Sequence, residues 1–237
     1  MFKSILVIPD LHCPVMHKDA FKFIKAVAKL YKPDKVVCLG DELDYHCLSF
    51  HETEDECPYN ESQEFEEGKR YFSNLYDMFD SVDILTSNHG SLLYRRAKAC
   101  RIPRQFLFTY EQVLDAPKGY KWHDNLILQT NRGEFVQFHH GNIAPKDILR
   151  KSQLTGISQV QGHHHNNFEI KYWQDNVTNK MKFGMSCGCL IDDEKYAFLY
   201  NKNNIGRPLL GCGVIYDGIP ELIPMNLNEE KRWDGCL

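Results

Sequence analysis

Five short segments of this 237-residue chain carry side chains that can bind a metal ion. Each follows an apolar stretch and contributes carboxylate, amide or imidazole groups. They are DLH at 10–12, GDELD at 40–44, SNHG at 87–90, HHG at 139–141 and GHHH at 162–165. Taken singly, each is more typical of a turn or of a structural histidine. Together, their mixed oxygen and nitrogen groups predict a centre for borderline divalent cations.

The histidine triplet His163 to His165 lies well inside the chain, so it is not a terminal tag. It follows a short alternating stretch that predicts a strand. If the triplet continues that strand, residues two apart share a face, so His163 and His165 point together and His164 points away. At most two of the three histidines can therefore serve one site.

The first half of the sequence predicts βαβ units. An apolar run, SILVI, is followed by Asp10, and Asp19 can cap a helix whose apolar residues recur at three-to-four spacing as far as Pro33. KVVCLGD and VDILTSNHG repeat the strand-to-loop pattern, and a further helix is expected at 92–101. Right-handed crossovers between parallel strands open the loops at one edge of the sheet. The first motifs should therefore meet there.

After Pro117 the sequence changes to short strands separated by turn residues, which predicts mixed or antiparallel sheet. The acidic segment from His51 to Glu67 predicts an exposed loop or lid that leads into another helix. No repeat, low-complexity tract or linker interrupts the chain. We therefore expect a single domain over residues 1–237, of α/β class with α+β character.

Composition disfavours several classes of protein. Hydrophobic residues make up 43% of the chain, enough for a sizeable core, and the formal net charge of −4 offers no basic field for a long nucleic acid. The nine cysteines are scattered without a CxxC pair, so neither a disulfide framework nor a cysteine zinc site is indicated. No early apolar run is long enough for a signal peptide or a membrane span. We expect a cytoplasmic protein without a membrane partner, of undefined oligomeric state.

The five motifs resemble the signature of the calcineurin-like metallophosphoesterase superfamily, which runs DxH, GDxxD, GNH(E/D), HG or HGH, and GHxH. The match covers residues 4–170 in both order and spacing. From KPDKVVCLGD onward the chain is similar to small phage and bacterial members, such as phage-type 5'-deoxyribonucleotidases. The resemblance implies a four-layer αββα sandwich. Two positions depart from the pattern: Ser87 stands where the family has glycine, and Gly90 where most members have an acid.

The resemblance also implies two divalent cations, with Asp41 bridging them. Mn²⁺ is the expected metal, and Fe, Zn, Co or Mg are the alternatives. His139 is expected to be a wall residue beside the ligand His140, and His164 to point outward. Seven residues of the five motifs would be the ligands: Asp10, His12, Asp41, Asn88, His140, His163 and His165.

The activity implied by the resemblance is phosphoester hydrolysis. His89, oriented by Asp44, would donate a proton to the leaving oxygen or stabilise its charge. The expected substrate is a small phosphate ester, first a (deoxy)nucleoside 5'-monophosphate, with Arg95 and Arg96 as candidates to bind phosphate and Tyr45 to stack on a base. A metal-dependent nuclease or phosphodiesterase is one alternative, and it should show a basic track beside the site. A non-catalytic interaction platform is the other, and it should have lost ligands.

Overall fold

The structure is a computed structural model that describes residues 1–50, 59–141, 146–195 and 207–237. Short 3₁₀ turns lie at His46–Leu48, Ser73–Leu75 and Arg104–Phe106. The strands and α-helices follow in chain order: β1 (Ser4–Ile8), α1 (Ala20–Tyr31), β2 (Lys35–Cys38), α2 (Glu61–Phe72), β3 (Val82–Leu85), α3 (Leu92–Ala99), α4 (Tyr110–Val113), β4 (Tyr120–His123), β5 (Leu126–Gln129), β6 (Phe135–His139), α5 (Ile148–Thr155), β7 (Ser158–Gln161), β8 (Phe168–Gln174), β9 (Met181–Cys187), β10 (Gly211–Tyr216) and β11 (Ile219–Pro224).

The strands form two mixed sheets. The first has the order β11-β10-β1-β2-β3-β4, in which β1 to β4 are parallel and β10 and β11 add antiparallel. The second has the order β5-β6-β7-β9-β8, with parallel pairs in the centre and an antiparallel pair at each edge. The prediction of βαβ units followed by mixed sheet is confirmed.

Two apolar cores hold the layers together, and β1 contributes to both because it is buried on its two faces. Leu6 and Ile8 pack with Phe23 and other apolar side chains of α1, on the outer side of the first sheet. Ile5 and Val7 belong to the core between the two sheets. Helix α5 covers the outer face of the second sheet. The predicted four-layer αββα sandwich is therefore confirmed.

This arrangement brings the polar motifs to one edge of the sandwich. β1 and β2 are parallel neighbours, so the residues that follow Ile8 and Cys38 leave the first sheet on the same side. β6 and β7 are likewise parallel, so the residues that follow His139 and Gln161 leave the second sheet together. The loops after these strands can therefore form one site.

The helices differ from expectation at two points. α2 begins at Glu61 and is capped by Asn60, whose side chain accepts from the Gln63 amide, so residues 61–67 are helix and not loop. Residues 51–58 of the predicted lid lie outside the described residues. α3 ends at Ala99, close to the expected boundary. None of the helices within the described ranges combines the length and the apolar character that a membrane span requires.

Asp19 precedes α1 as predicted, but its side chain makes no capping hydrogen bond. Instead it accepts hydrogen bonds from Arg232 Nε at 2.7 Å, from Arg232 Nη2 at 2.5 Å and from the Trp233 amide at 3.1 Å. The Trp233 ring packs edge-on against Phe23 of α1, with the ring centroids 5.6 Å apart. Asp19 therefore attaches the C-terminal segment to the first helix. Its carboxylate forms a bidentate pair with Arg232 instead of capping the helix.

We expect Asp19→Asn to destabilise the protein at neutral pH but not in acid. The hydrogen bond from Arg232 lowers the pKa of Asp19 to about 2. A carboxyl group with a lowered pKa stabilises the fold above its unfolded pKa of about 3.9, and this contribution is lost as pH falls towards the folded pKa. The difference in Tm between variant and wild type should therefore shrink between about pH 4 and pH 2 in thermal unfolding curves.

Asp77→Asn, at an exposed carboxylate, is the matched control and should leave Tm unchanged. A loss of Tm that is equal in both variants, or that does not change with pH, would contradict the assignment.

Candidate metal centre

One group of possible ligands forms where the first, second and fifth motifs meet. Its members are Asp10, His12, Asp41 and His165, and one ligand atom from each lies within 4.8 Å of the others. His165 Nε2 is 3.2 Å from Asp10 Oδ2, and His12 Nε2 is 3.3 Å from Asp41 Oδ2. The first three side chains are buried and that of His165 is 16% exposed. Two carboxylates and two imidazoles thus converge on one point.

A second group adjoins the first and shares Asp41 with it. Asp41, His140 and His163 again offer ligand atoms within 4.8 Å of one another. His140 Nε2 lies 3.3 Å from Asp41 Oδ2 and 2.7 Å from Asn88 Oδ1. The structure therefore brings six of the seven predicted ligands into two adjoining groups that share Asp41. The seventh, Asn88, lies beside the second group through its contact with His140. The ligand roles themselves stay a prediction.

Hydrogen bonds orient two of the imidazoles so that Nε2 faces these groups. His140 Nδ1 donates to the Leu39 carbonyl at 2.9 Å, and His12 Nδ1 lies 2.6 Å from Asp44 Oδ1. Histidines that bind metals typically donate their second ring N–H to a carbonyl or carboxylate, which fixes the tautomer and the ring. His12 and His140 therefore fit ligation through Nε2.

The electrostatics of the two groups favour a cation. Burial lowers the pKa of His12, but hydrogen bonds and charges of Asp41 and Asp44 outweigh it and raise the pKa to about 10. Burial likewise lowers the pKa of His140, and the charge of Asp41 and its hydrogen bond raise it to about 9. Asp10 Oδ1 is buried without a hydrogen-bond partner in the described part of the chain. A divalent cation would satisfy these acceptors and displace the imidazole protons.

The backbone at the site adopts conformations that ordinary residues rarely take. His12 has a φ of 51° and Asp41 a φ of 45°, both in the left-handed region, which costs energy and is concentrated at functional sites. A Cβ atom at Gly40, where φ is 99°, would lie 2.6 Å from a carbonyl oxygen of β3. A Cβ atom at Gly162 would lie 2.3 Å from Asp10 Oδ1. The glycines before the second and fifth motifs therefore let the chain approach the ligands closely.

The expected continuation of β7 through the histidine triplet is wrong. β7 ends at Gln161, and His163 has a φ of 67°, so the chain turns there. The His163 amide donates to Asp10 Oδ2 at 2.7 Å, which fixes the turn. This turn, and not strand alternation, places His163 and His165 in different groups. His164 belongs to neither group and is half-buried, with its ring 5.0 Å from that of His163.

Asp44 contacts His89 in a different way from that expected. His89 Nδ1 hydrogen-bonds the backbone carbonyl oxygen of Asp44, whereas the carboxylate lies 3.5 Å from that nitrogen. The same carboxylate is only 2.6 Å from His12 Nδ1. The His89 amide donates to Asp41 Oδ1 at 3.1 Å. Asp44 thus positions His12 through its side chain and His89 chiefly through its main chain.

Ser87 and Gly90, the two departures from the family pattern, are in direct contact. Ser87 Oγ accepts hydrogen bonds from the amides of Asp41 at 2.9 Å and Gly90 at 3.0 Å. A Cβ atom at Gly90 would lie 2.9 Å from this hydroxyl and 3.3 Å from Glu42 Oε1. Trp122 Nε1 donates to the buried Glu42, and burial raises the pKa of Glu42 to about 7. The sequence analysis did not single out Glu42 as a site residue, although its position within the GDELD motif could have marked it as one.

The predicted substrate-binding residues lie in other surroundings. The Tyr45 ring is 8% exposed and stacks on Phe65, with an interplanar angle of 6°. The Arg96 guanidinium donates to the carbonyl groups of residues 48–49. These contacts engage both side chains within the protein, and the roles of Tyr45 and Arg96 in substrate binding stay predictions. Arg95 is exposed on α3 and stays a candidate.

A cavity of about 600 Å³ adjoins the second group. We call it the side cavity. Its aromatic wall is continuous with the metal centre: Tyr110 stacks on Trp122 at an interplanar angle of 9°, and Trp122 donates to Glu42 beside Asp41. Residues that line the cavity include Ser87, Tyr94, Tyr110, Gln137, His139 and His140.

Comparison with known proteins establishes the fold. No family model and no curated protein matches this chain. Among solved structures, Yfce, a phosphoesterase from E. coli, matches with a TM-score of 0.50 and 12% sequence identity over 98% of this chain and 97% of that one. A likeness at this identity shows the fold alone. The chain thus has the same sandwich fold as Yfce.

Two further solved structures match with TM-scores of 0.48 and 0.45. Vps29 from Chaetomium thermophilum matches with a TM-score of 0.48 and 12% identity over 97% of this chain and 92% of that one. Vacuolar Protein Sorting 29 from Cryptosporidium parvum matches with a TM-score of 0.45 and 13% identity over 93% and 95% of the two chains.

The three consecutive histidines provide a matched test of the two groups. We expect His163→Ala and His165→Ala each to bind one ion fewer than the wild type, because each removes a ligand from a different group. His164→Ala should keep the full complement. Metal content after dialysis against Mn²⁺, measured by inductively coupled plasma mass spectrometry, distinguishes these results. Equal losses in all three variants, or no loss in any, would refute the two-group arrangement.

Proposed function

We propose that this chain is a dinuclear-metal phosphoester hydrolase. The observation that carries the proposal is the position of Asp41, whose carboxylate belongs to both groups of ligand atoms. The fold supports it, because the chain shares its sandwich with the phosphoesterase Yfce. A pair of divalent cations joined by a carboxylate suits in-line displacement at phosphorus, where both the attacking and the leaving oxygen need stabilisation.

The residues of the chain have distinct tasks in this proposal. When bound, divalent cations supply water activation and neutralise charge on the phosphoryl group. Asp10 and Asp41 would provide the negative charge that holds the ions, and the Nδ1 partners of His12 and His140 would keep both rings in the ligating tautomer. Asn88 is a neutral amide, so it adds no negative charge where a phosphate must bind.

His89 is proposed as the general acid. It lies next to the first group, with its ring centroid 4.6 Å from that of His12, and its side chain is 14% exposed. Its amide is held by Asp41 and its Nδ1 by the Asp44 carbonyl, so the ring position is fixed from two sides. From there it would donate a proton to the leaving oxygen, a contribution of about 10² to 10⁴-fold in such enzymes.

We further propose a phosphomonoesterase that acts on (deoxy)nucleoside 5'-monophosphates with Mn²⁺ as its metal. The side cavity supports a nucleoside as the leaving group. It presents the aromatic rings of Tyr94 and Tyr110 and the side-chain amides of Asn125 and Gln137, which can stack on a base or hydrogen-bond its edge. The net charge of −4 favours a small substrate over a long nucleic acid.

We expect activity to depend on a divalent metal. Treatment with excess EDTA should abolish hydrolysis of p-nitrophenyl phosphate and of nucleoside monophosphates, and added Mn²⁺ should restore it, because mixed oxygen and nitrogen ligands suit Mn²⁺. Release of p-nitrophenol and of inorganic phosphate measures both activities. Full activity in excess chelator would exclude the metal mechanism.

His89→Ala should lower kcat on a nucleotide by about 10² to 10⁴-fold while metal content stays unchanged, because it removes a proton donor and not a ligand. The loss should be smaller on p-nitrophenyl phosphate, whose acidic phenol needs little protonation to leave. Steady-state kinetics on both substrates, together with metal analysis, measures these effects.

Asp44→Asn is the matched comparison, because it keeps the backbone carbonyl that binds His89 and changes the group that binds His12. It should weaken metal binding by about 10 to 100-fold with little change in leaving-group dependence. If His89→Ala loses metal, or keeps wild-type turnover on a nucleotide, the role given to His89 is wrong.

A further inference from the structure

The side cavity contains three groups that the proposed nucleotide hydrolysis leaves unused: Arg104, His139 and Lys151. Gln137 and His139 are two residues apart in β6, so they share one face of the second sheet. Val136 and Phe138 occupy the opposite face and fill the core between the sheets. His140, at one end of the cavity, belongs to the second ligand group. A leaving group attached to a phosphoryl group bound beside His140 would therefore adjoin this space.

Lys151 of α5 lines the cavity and is half-buried. Burial lowers the pKa of its ammonium group, and no neighbouring acid raises it. No described carboxylate lies within ion-pair distance of Lys151. Asp147, which precedes α5, instead forms an ion pair with Lys171. A cation partly withdrawn from water without a counter-charge is stabilised when an anion binds beside it.

The other charged groups of the cavity leave an excess of positive charge. Arg104 also lines it, with its guanidinium carbon 3.9 Å from the centroid of the Tyr94 ring. Asp124 is the acid among the described lining residues, and the Thr86 hydroxyl donates to it at 2.9 Å. Two cations against one carboxylate make the cavity suited to an anion.

His139 adds an unused hydrogen-bonding group. Its side chain lines the cavity and the residue is 6% exposed, yet Nε2 has no hydrogen-bond partner among the described residues. A buried polar atom without a partner is rare in native structures and points to a ligand.

We propose that the side cavity binds a second phosphate group of the substrate, with Lys151 as its ion-pair partner and His139 as a hydrogen-bond donor. The inference rests on the proposed phosphoester hydrolysis and narrows it: the preferred substrate is a small phosphate ester whose leaving group carries another phosphate. Neither residue is one of the seven predicted ligands, so Lys151 and His139 select the substrate without taking part in the chemistry.

Two nucleotides that differ only in this group provide the test: thymidine 5'-monophosphate and thymidine 3',5'-bisphosphate. We expect the Mn²⁺-loaded chain to hydrolyse the 5'-phosphate of the bisphosphate with a kcat/KM at least about 10-fold higher than that for the monophosphate. A charge-assisted contact of Lys151 with the second phosphate would provide a gain of this size. Lys151→Gln should remove the preference, and Lys151→Arg should keep it. Arg150→Gln changes an exposed cation of the same helix and should have no effect.

Equilibrium binding of both nucleotides to the EDTA-treated chain, measured by calorimetry, separates this inference from the proposed function. Tighter binding of the bisphosphate that depends on Lys151, without hydrolysis in Mn²⁺, would support the phosphate site and overturn the hydrolase. Equal kcat/KM for the two nucleotides would overturn the phosphate site alone. A preference for the bisphosphate that survives Lys151→Gln would also overturn the phosphate site.

Discussion

The site depends on the way in which Asp41 is held. Its backbone carbonyl accepts hydrogen bonds from the amides of Leu11 and His12, which ties the first motif to the second. Its own amide donates to Ser87 Oγ, which ties in the third. Gly40 allows the turn before it, and the carboxylate then lies between the two groups of imidazoles. A change in this turn would displace both groups at once.

Burial makes this arrangement costly unless a cation is bound. Asp10 and Asp41 are carboxylates without significant exposure, and the imidazoles around them partly compensate by attracting protons. Bound divalent cations would resolve this conflict, because they would replace those protons. Gly90 stands where most family members have an acid, and the structure leaves little room for a side chain there. The buried carboxylate of Glu42 and the Ser87 hydroxyl already occupy the neighbouring space.

The βαβ units and the mixed sheet were predictable from local patterns of sequence, whereas the four-layer sandwich and the ligand set were expected only from the family resemblance. Apolar runs that end in polar motifs mark the strands and their common edge, and Asp41 and His140 lie where the motif order placed them. Backbone conformation was less accessible: nothing in the type of His163 signals its positive φ, so strand alternation was the wrong premise. Long-range pairing was equally hidden, since Asp19 meets Arg232 from 213 residues away. The single-domain organisation and the identity of the metal stay predictions.

The most direct test of the two-metal account is crystallographic. Crystals of the Mn²⁺-loaded chain, measured near the manganese absorption edge, should show two anomalous peaks about 3.5 to 4 Å apart on either side of the Asp41 carboxylate. One peak should contact Asp10, His12 and His165, and the other Asn88, His140 and His163. A single peak, or peaks that do not share Asp41, would contradict the account.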